Sequence, residues 1–194
     1  SGHGFFLDIM KKNGYDITGF EISKEKRKYS KKVTKVPVLD ININEKIPTV
    51  KPFDIVVLFH TLEHIIDPVI LLKNIKKLLK PKGKVLVEVP NCDDFHLGLN
   101  KFYKEFYWER AHIHYFNSKS LKTVINLGGF KGIKITGVQR YSIENFFHWR
   151  LKNKPQMENP TYSLSGELNW LDESYKKYLE RNLICDTLIS IANI

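Results

Sequence analysis

Two stretches constrain this chain more than any others: FDIVVLFH at 53–60 and KVLVEVPN at 84–91. Each is a nearly continuous apolar run, the pattern of a strand buried on both faces of a parallel sheet. Parallel neighbours need a crossover between them, and the intervening sequence supplies one. Asp67-Pro68 offers an N-cap followed by proline at the first helical position. Val69, Leu71, Leu72, Ile75, Leu78 and Leu79 then give a helix its apolar face, and KPKGK stops it. The same alternation runs through the first fifty residues. Phe5, Phe6, Ile9 and Met10 follow helical spacing up to Asn13-Gly14; YDITGFEIS reads as a strand, 24–33 as a charged helix, and KVPVLDINI as a short strand. The fold class is therefore α/β, with a mainly parallel, doubly wound sheet.

The second half is less regular. Residues 91–117 are polar and aromatic, too long for a plain connector, and read as a lid. Ser118 is expected to cap a helix through Leu127 that ends at Gly128-Gly129, and FKGIKITGVQRY reads as a strand. An aromatic-rich stretch, 141–166, leads to a helix around 167–181, and ICDTLISIANI closes the chain as a last strand. With 194 residues and no internal repeat or linker, the chain fits a single domain, 1–194.

Composition narrows the classes. No run approaches the length of a membrane span, and Cys92 and Cys185 are too few for a disulfide framework, so a reducing cytoplasm is expected. The net charge of +10 comes mostly from lysines spread along the whole chain, which argues for a solvated surface rather than a nucleic-acid footprint.

The ligand-binding signal is a glycine turn with a later acid. Gly2 and Gly4 open the first helix, and Glu21 ends the following strand. In doubly wound sheets such a turn lets backbone approach a ligand, while the acid takes ribose hydroxyls. Together, SGHGFF, GYDITGFEIS, FDIVVLFHTLEHIIDP, LLKPKGKVLVEVPN and AHIHYFNSKSLKTVINLGGF resemble the class I S-adenosylmethionine-dependent methyltransferases, closest to the branch acting on small molecules and sugars. The resemblance covers residues 1 to about 138. It implies a Rossmann-like sheet of seven strands whose antiparallel last strand pairs with FKGIKITGV. It also implies a strand and half a glycine loop ahead of Ser1, so the chain is expected to lack the first strand, with pairing to another copy filling the gap.

Carried over by position, Gly2 and Gly4 match the cofactor loop, and Glu21 the acid on the ribose. Asp40 is similar to the acid near the adenine amine, and Phe59, His60 and Leu62 to the wall beside the methionine part. Residues 1–90 then form a cofactor-binding half, with 91–117 and 139–182 as acceptor-side insertions. AHIHYF resembles the histidine segment of sugar methyltransferases, which makes His112 the general base, with His114 and His64 as alternatives; the glutamate of that pattern is here Ala111. The same histidines could instead only tie a loop to the sheet. His60, Glu63 and His64, with His112 or His114, could also offer metal ligands. Relatives of this kind keep the Glu-His pair merely to shape the pocket, so no metal is assigned. The expected function is methyl transfer from S-adenosylmethionine to a small-molecule hydroxyl, on a sugar or polysaccharide precursor. RNA methylation and a non-catalytic fragment stand as alternatives.

Overall fold

The computed structural model describes residues 1–156 and 166–194. The chain divides into two units, Ser1–Lys51 and Pro52–Ile194. In the first, α1 (Phe5–Lys12) starts from Gly4, whose φ of 89° is left-handed. A side chain at Gly4 would run into Ser30 Oγ and Thr34 Cγ2, so backbone geometry and packing both demand glycine there. Helix α2 (Lys24–Thr34) is capped by Ser23, whose side chain accepts from the Lys26 amide. Strands β1 (Gly19–Phe20) and β2 (Val38–Leu39) pair in parallel, Gly19 opposite Val38. Both are far shorter than the sequence pattern suggested. Tyr15 and Asp16 are exposed, and Pro37, lacking an N–H, stops the ladder. Leu7, Val36 and Val38, with Ile17 against them, form this unit's small core.

In the second unit, β3 (Phe53–Phe59), β4 (Leu79–Pro90), β5 (Lys131–Val138) and β6 (Thr187–Asn193) form one sheet in the order β3-β4-β6-β5. Strands β3 and β4 are parallel, and β6 runs antiparallel to both β4 and β5. The reversed last strand and its pairing with FKGIKITGV are as expected. Helix α3 (Pro68–Leu78) is capped by Asp67, whose carboxylate accepts from the Ile70 amide. It buries Leu71, Leu72 and Ile75, and Val85, Val87 and Leu188 of the sheet are likewise excluded from water.

Several expectations are corrected. Strand β3 is not buried on both faces: Ile55 is 55% and Phe59 39% exposed, because among the described residues β3 pairs with β4 alone. Rather than one large sheet, the described residues form a two-stranded and a four-stranded sheet. Helix α5 (Ser118–Leu127) is capped by Asn117, not Ser118, in a reciprocal box with Ser120. Residues 91–117 hold a 3-10 turn at Phe95–Gly98 and α4 (Lys101–Tyr107). The aromatic stretch contains an unanticipated helix, α6 (Ile143–Lys152), before α7 (Asn169–Arg181). Residues 157–165 of that stretch lie outside the described residues.

Candidate functional site

Each unit carries part of the expected constellation. In the first, Glu21 stands just beyond β1 and turns back on the glycine turn. Its Oε2 accepts from the Gly2 amide at 2.7 Å, while Oε1 accepts from the Ser23 amide at 2.9 Å. Burial would raise its pKa, but the Ser23 and Gly2 amides oppose that, and the carboxyl lies below its ordinary value. A carboxylate has about four lone-pair sites, so capacity remains for a ligand hydroxyl. Gly2 and Gly4 both have positive φ, and nothing lies within 4 Å of where a Gly2 side chain would begin. Asp40 is already engaged: Arg27 grips it in a two-pronged pair at 2.9 and 2.6 Å. A hollow of about 710 Å³ in this unit is lined by His3, Phe5, Ser23, Glu25, Lys26 and Tyr29, and Glu21 and Asp40 are not among its lining.

The second unit holds the acceptor-side candidates, and they centre on a residue that the base assignment left aside. After β3 the chain makes a 3-10 turn, Leu62–His64, that buries Leu62 and Glu63 at 0% and 1% exposure. Leu62 therefore packs into the core rather than presenting a wall. The Glu63 carbonyl accepts from the amides of both Ile113 and His114, at 2.8 and 3.0 Å, and so docks the AHIHYF segment onto the turn. This brings His64 and His112 together, with ring centroids 4.8 Å apart. His64 donates its Nδ1–H to the Ala111 carbonyl at 2.8 Å, which leaves its Nε2 lone pair free of that bond. His114 donates through Nε2 to the Ile66 carbonyl at 3.2 Å. Glu63 Oε2 and His112 Nδ1 are buried with no hydrogen-bond partner among the described residues.

His60, at the end of β3, takes a left-handed backbone with φ of 42°, unusual for a residue with a side chain. Its ring bridges two carboxylates, Nδ1 to Glu63 Oε1 at 3.3 Å and Nε2 to Glu88 Oε1 at 3.0 Å. Arg140 Nη1 also lies 3.2 Å from Nε2 and is fixed from behind by Asp186, with Nε to Oδ1 at 2.9 Å. The hydrogen bond to Glu63 raises the His60 pKa; burial and Arg140 oppose it, and the charges of Glu63 and Glu88 add to the rise. Glu88, Arg140 and Asp186 were absent from the sequence assignment. Glu88 carried a signal, being the lone acid within the apolar run KVLVEVPN.

A pH prediction follows from this bridge. A histidine with a raised folded-state pKa lends stability that is fully present below the unfolded value, near ~6.5, and fades as pH rises through the folded value. Urea unfolding of wild type and His60→Asn should therefore differ more below about pH 6.5 than above it, the gap narrowing as pH rises to the remainder set by lost packing and hydrogen bonds. Asparagine suits the comparison because it tolerates the left-handed backbone. A gap that stayed constant with pH would show the imidazole charge to be irrelevant.

A family model described as a methyltransferase domain matches residues 1–135. No curated protein matches the chain. Among solved structures, an S-adenosylmethionine-dependent methyltransferase from Archaeoglobus fulgidus is 20% identical with a TM-score of 0.67, covering 100% of this chain and 82% of that one. Another from Thermotoga maritima is 17% identical, with a TM-score of 0.65 and coverage of 99% and 77%. A plantazolicin methyltransferase, solved with a substrate analogue and S-adenosylhomocysteine, is 16% identical, with a TM-score of 0.62 and coverage of 99% and 73%. At these identities the likeness to the solved structures is one of fold.

Proposed function

This chain belongs to the methyltransferase-domain family, and from that premise we propose that it methylates a hydroxyl of a small molecule, a sugar or a polysaccharide precursor. The methyl donor is S-adenosylmethionine, as in the solved structures that share the fold. That donor supplies an electrophilic methyl group on a sulfonium, so the protein's task is to bind, align and deprotonate.

In the first unit, Glu21 and the turn at Gly2 and Gly4 suit a ribose: an ionised carboxylate with spare acceptor capacity, tied to an open glycine backbone. Asp40 is assigned to the adenine amine, a role that it would share with Arg27. In the second unit, Phe59, 39% exposed, and His60 are assigned to the methionine part, with Leu62 supporting them from the core.

One observation carries the hydroxyl reading: Glu63, His64 and His112 form a cluster of lone-pair donors, one atom from each lying within 4.8 Å of the others. A hydroxyl must lose its proton to become a nucleophile, and such a cluster is where that proton is drawn off. His64 and His112 line it directly, while His114 is turned to the Ile66 carbonyl and holds the segment in place. The sugar reading draws on aromatic faces in the same unit: Phe102, Phe106, Trp108 and Tyr141 are all 39–49% exposed, and such rings stack on sugars. Among the described residues β3 pairs with β4 alone, and its other edge is where a second copy would pair.

Calorimetric titration with S-adenosylhomocysteine tests the premise. Micromolar binding at one site per chain is the expected result. Absence of binding at millimolar ligand would remove the methyl-transfer reading from this chain and leave the fold without its cofactor.

A further inference from the structure

We infer that Glu63, His64 and His112 form a binding site for a divalent transition-metal ion. The reason lies in what the three side chains lack. Glu63 is 1% exposed; Oε1 faces the His60 Nδ1–H at 3.3 Å, but Oε2 is buried with no hydrogen-bond partner among the described residues. His112 Nδ1 is in the same condition. Leaving a buried acceptor unpartnered is costly, about 1–3 kcal/mol and more for a charged group, and two orphans belonging to one cluster of ligand atoms call for a common electrophile. The third member is prepared for the same task. The bond from His64 Nδ1–H to the Ala111 carbonyl is the kind of outer contact that orients a metal-binding imidazole, and it leaves the Nε2 lone pair available as the ligand atom. His60 performs the equivalent service for the carboxylate by donating to Oε1.

The ligand set decides the class of ion. One carboxylate oxygen and two imidazole nitrogens are too nitrogen-rich for calcium or magnesium, which take oxygen, and lack the thiolates of a closed structural zinc site. They suit zinc, cobalt, manganese or ferrous iron, with positions left open for an oxygen ligand from outside. Bonds of about 2.1 Å place neighbouring ligands on one ion about 3.4 Å apart. The cluster, at 4.8 Å, must therefore draw in as the ion binds. His64 is exposed and His112 half-buried, so their rings have room to move while Glu63 stays fixed in the turn.

Such an ion deepens the acceptor chemistry proposed above, and its role there, though not its binding, rests on that reading. The acceptor oxygen bonds to the ion, its O–H bond breaks with the electron pair staying on oxygen, and the proton leaves to solvent. The two imidazoles then act through the ion rather than as free bases.

The test is a titration of chelator-treated protein with Co²⁺ alone, read by visible absorption, followed by displacement with Zn²⁺. One ion per chain with the intensified bands of low coordination number is expected, and His112→Ala and Glu63→Gln should each weaken affinity at least about tenfold. His3→Ala, in the other unit, should leave it unchanged. Because Glu63 is buried, its variant is read only alongside an intact thermal transition; His112→Ala decides the matter if Glu63→Gln does not fold. A featureless titration up to millimolar Co²⁺, or bands that survive His112→Ala, would overturn the site. S-adenosylhomocysteine calorimetry on the same samples separates the two readings: cofactor binding without cobalt bands sinks the metal alone, and cobalt bands without cofactor binding sink the donor reading alone.

Discussion

Asp94→Ala is expected to lower the stability of the second unit by about 3–5 kcal/mol. Asp94 is 3% exposed and gathers three donors: the Tyr103 hydroxyl at 2.6 Å, the His96 ring at 2.8 Å and the His96 amide at 2.9 Å. His96, itself 1% exposed, accepts from the Tyr175 hydroxyl at 2.7 Å through its other ring nitrogen. The carboxylate therefore ends a chain that ties the 3-10 turn after β4 to α4 and α7. Burial, reinforced by Asp94, pushes the Tyr103 hydroxyl far above its ordinary pKa, so it stays a donor at any working pH. Removing the carboxylate strands these donors in the interior, each orphan costing about 1–3 kcal/mol. Asp94→Asn keeps one acceptor and should lose only about 1–2 kcal/mol. Urea midpoints of the two variants against wild type decide it; equal, small losses would mean that water reaches the network.

Glu21→Ala is expected to weaken S-adenosylhomocysteine binding by roughly 30- to 150-fold, about 2–3 kcal/mol, the scale of hydrogen bonds to a charged group. Two effects act together. The carboxylate that would meet the ribose is gone, and the Gly2 and Ser23 amides lose the acceptor that shapes the turn. Glu21→Gln separates them, since one carboxamide oxygen can still take an amide while the charge is absent. The wild-type affinity should also hold as pH falls from neutrality toward the ordinary carboxyl value of 4.5, because the depressed pKa keeps Glu21 ionised through that range. Unchanged affinity in Glu21→Ala would remove this residue from the binding site.

The legible part of the fold was what rests on local pattern. The cap at Asp67-Pro68, the apolar face of α3 and the stop of α1 at Asn13-Gly14 all lie where their residues point, while the reversal of β6 followed from the family resemblance alone. What escaped was set by neighbours. The run FDIVVLFH reads as doubly buried because Ile and Val carry no record of whether a strand will stand beside them, and β3 has only β4. Helix α6 was hidden because its face is aromatic and mixed with charges, so no clean apolar stripe marks it. In the candidate site, the histidines and Glu63 were visible as a group, but the weight that Glu63 carries within it was not. Its importance comes from a buried oxygen without a partner, and burial of one residue in a 3-10 turn leaves no periodic trace. Arg140 and Asp186 meet across forty-six positions of sequence and are joined only by the return of β6.

On the function proposed above, the attachment of Ile113 and His114 to the Glu63 carbonyl would have a kinetic meaning. If those two amide bonds are what hold His112 in the cluster, assembly of the proposed site and the seating of residues 109–116 are a single event. If that segment lifts to admit an acceptor or release a product, the site disassembles with it and re-forms on closure. Turnover would then be timed by the breaking of two backbone hydrogen bonds, and an acceptor that props the segment open would bind without reacting.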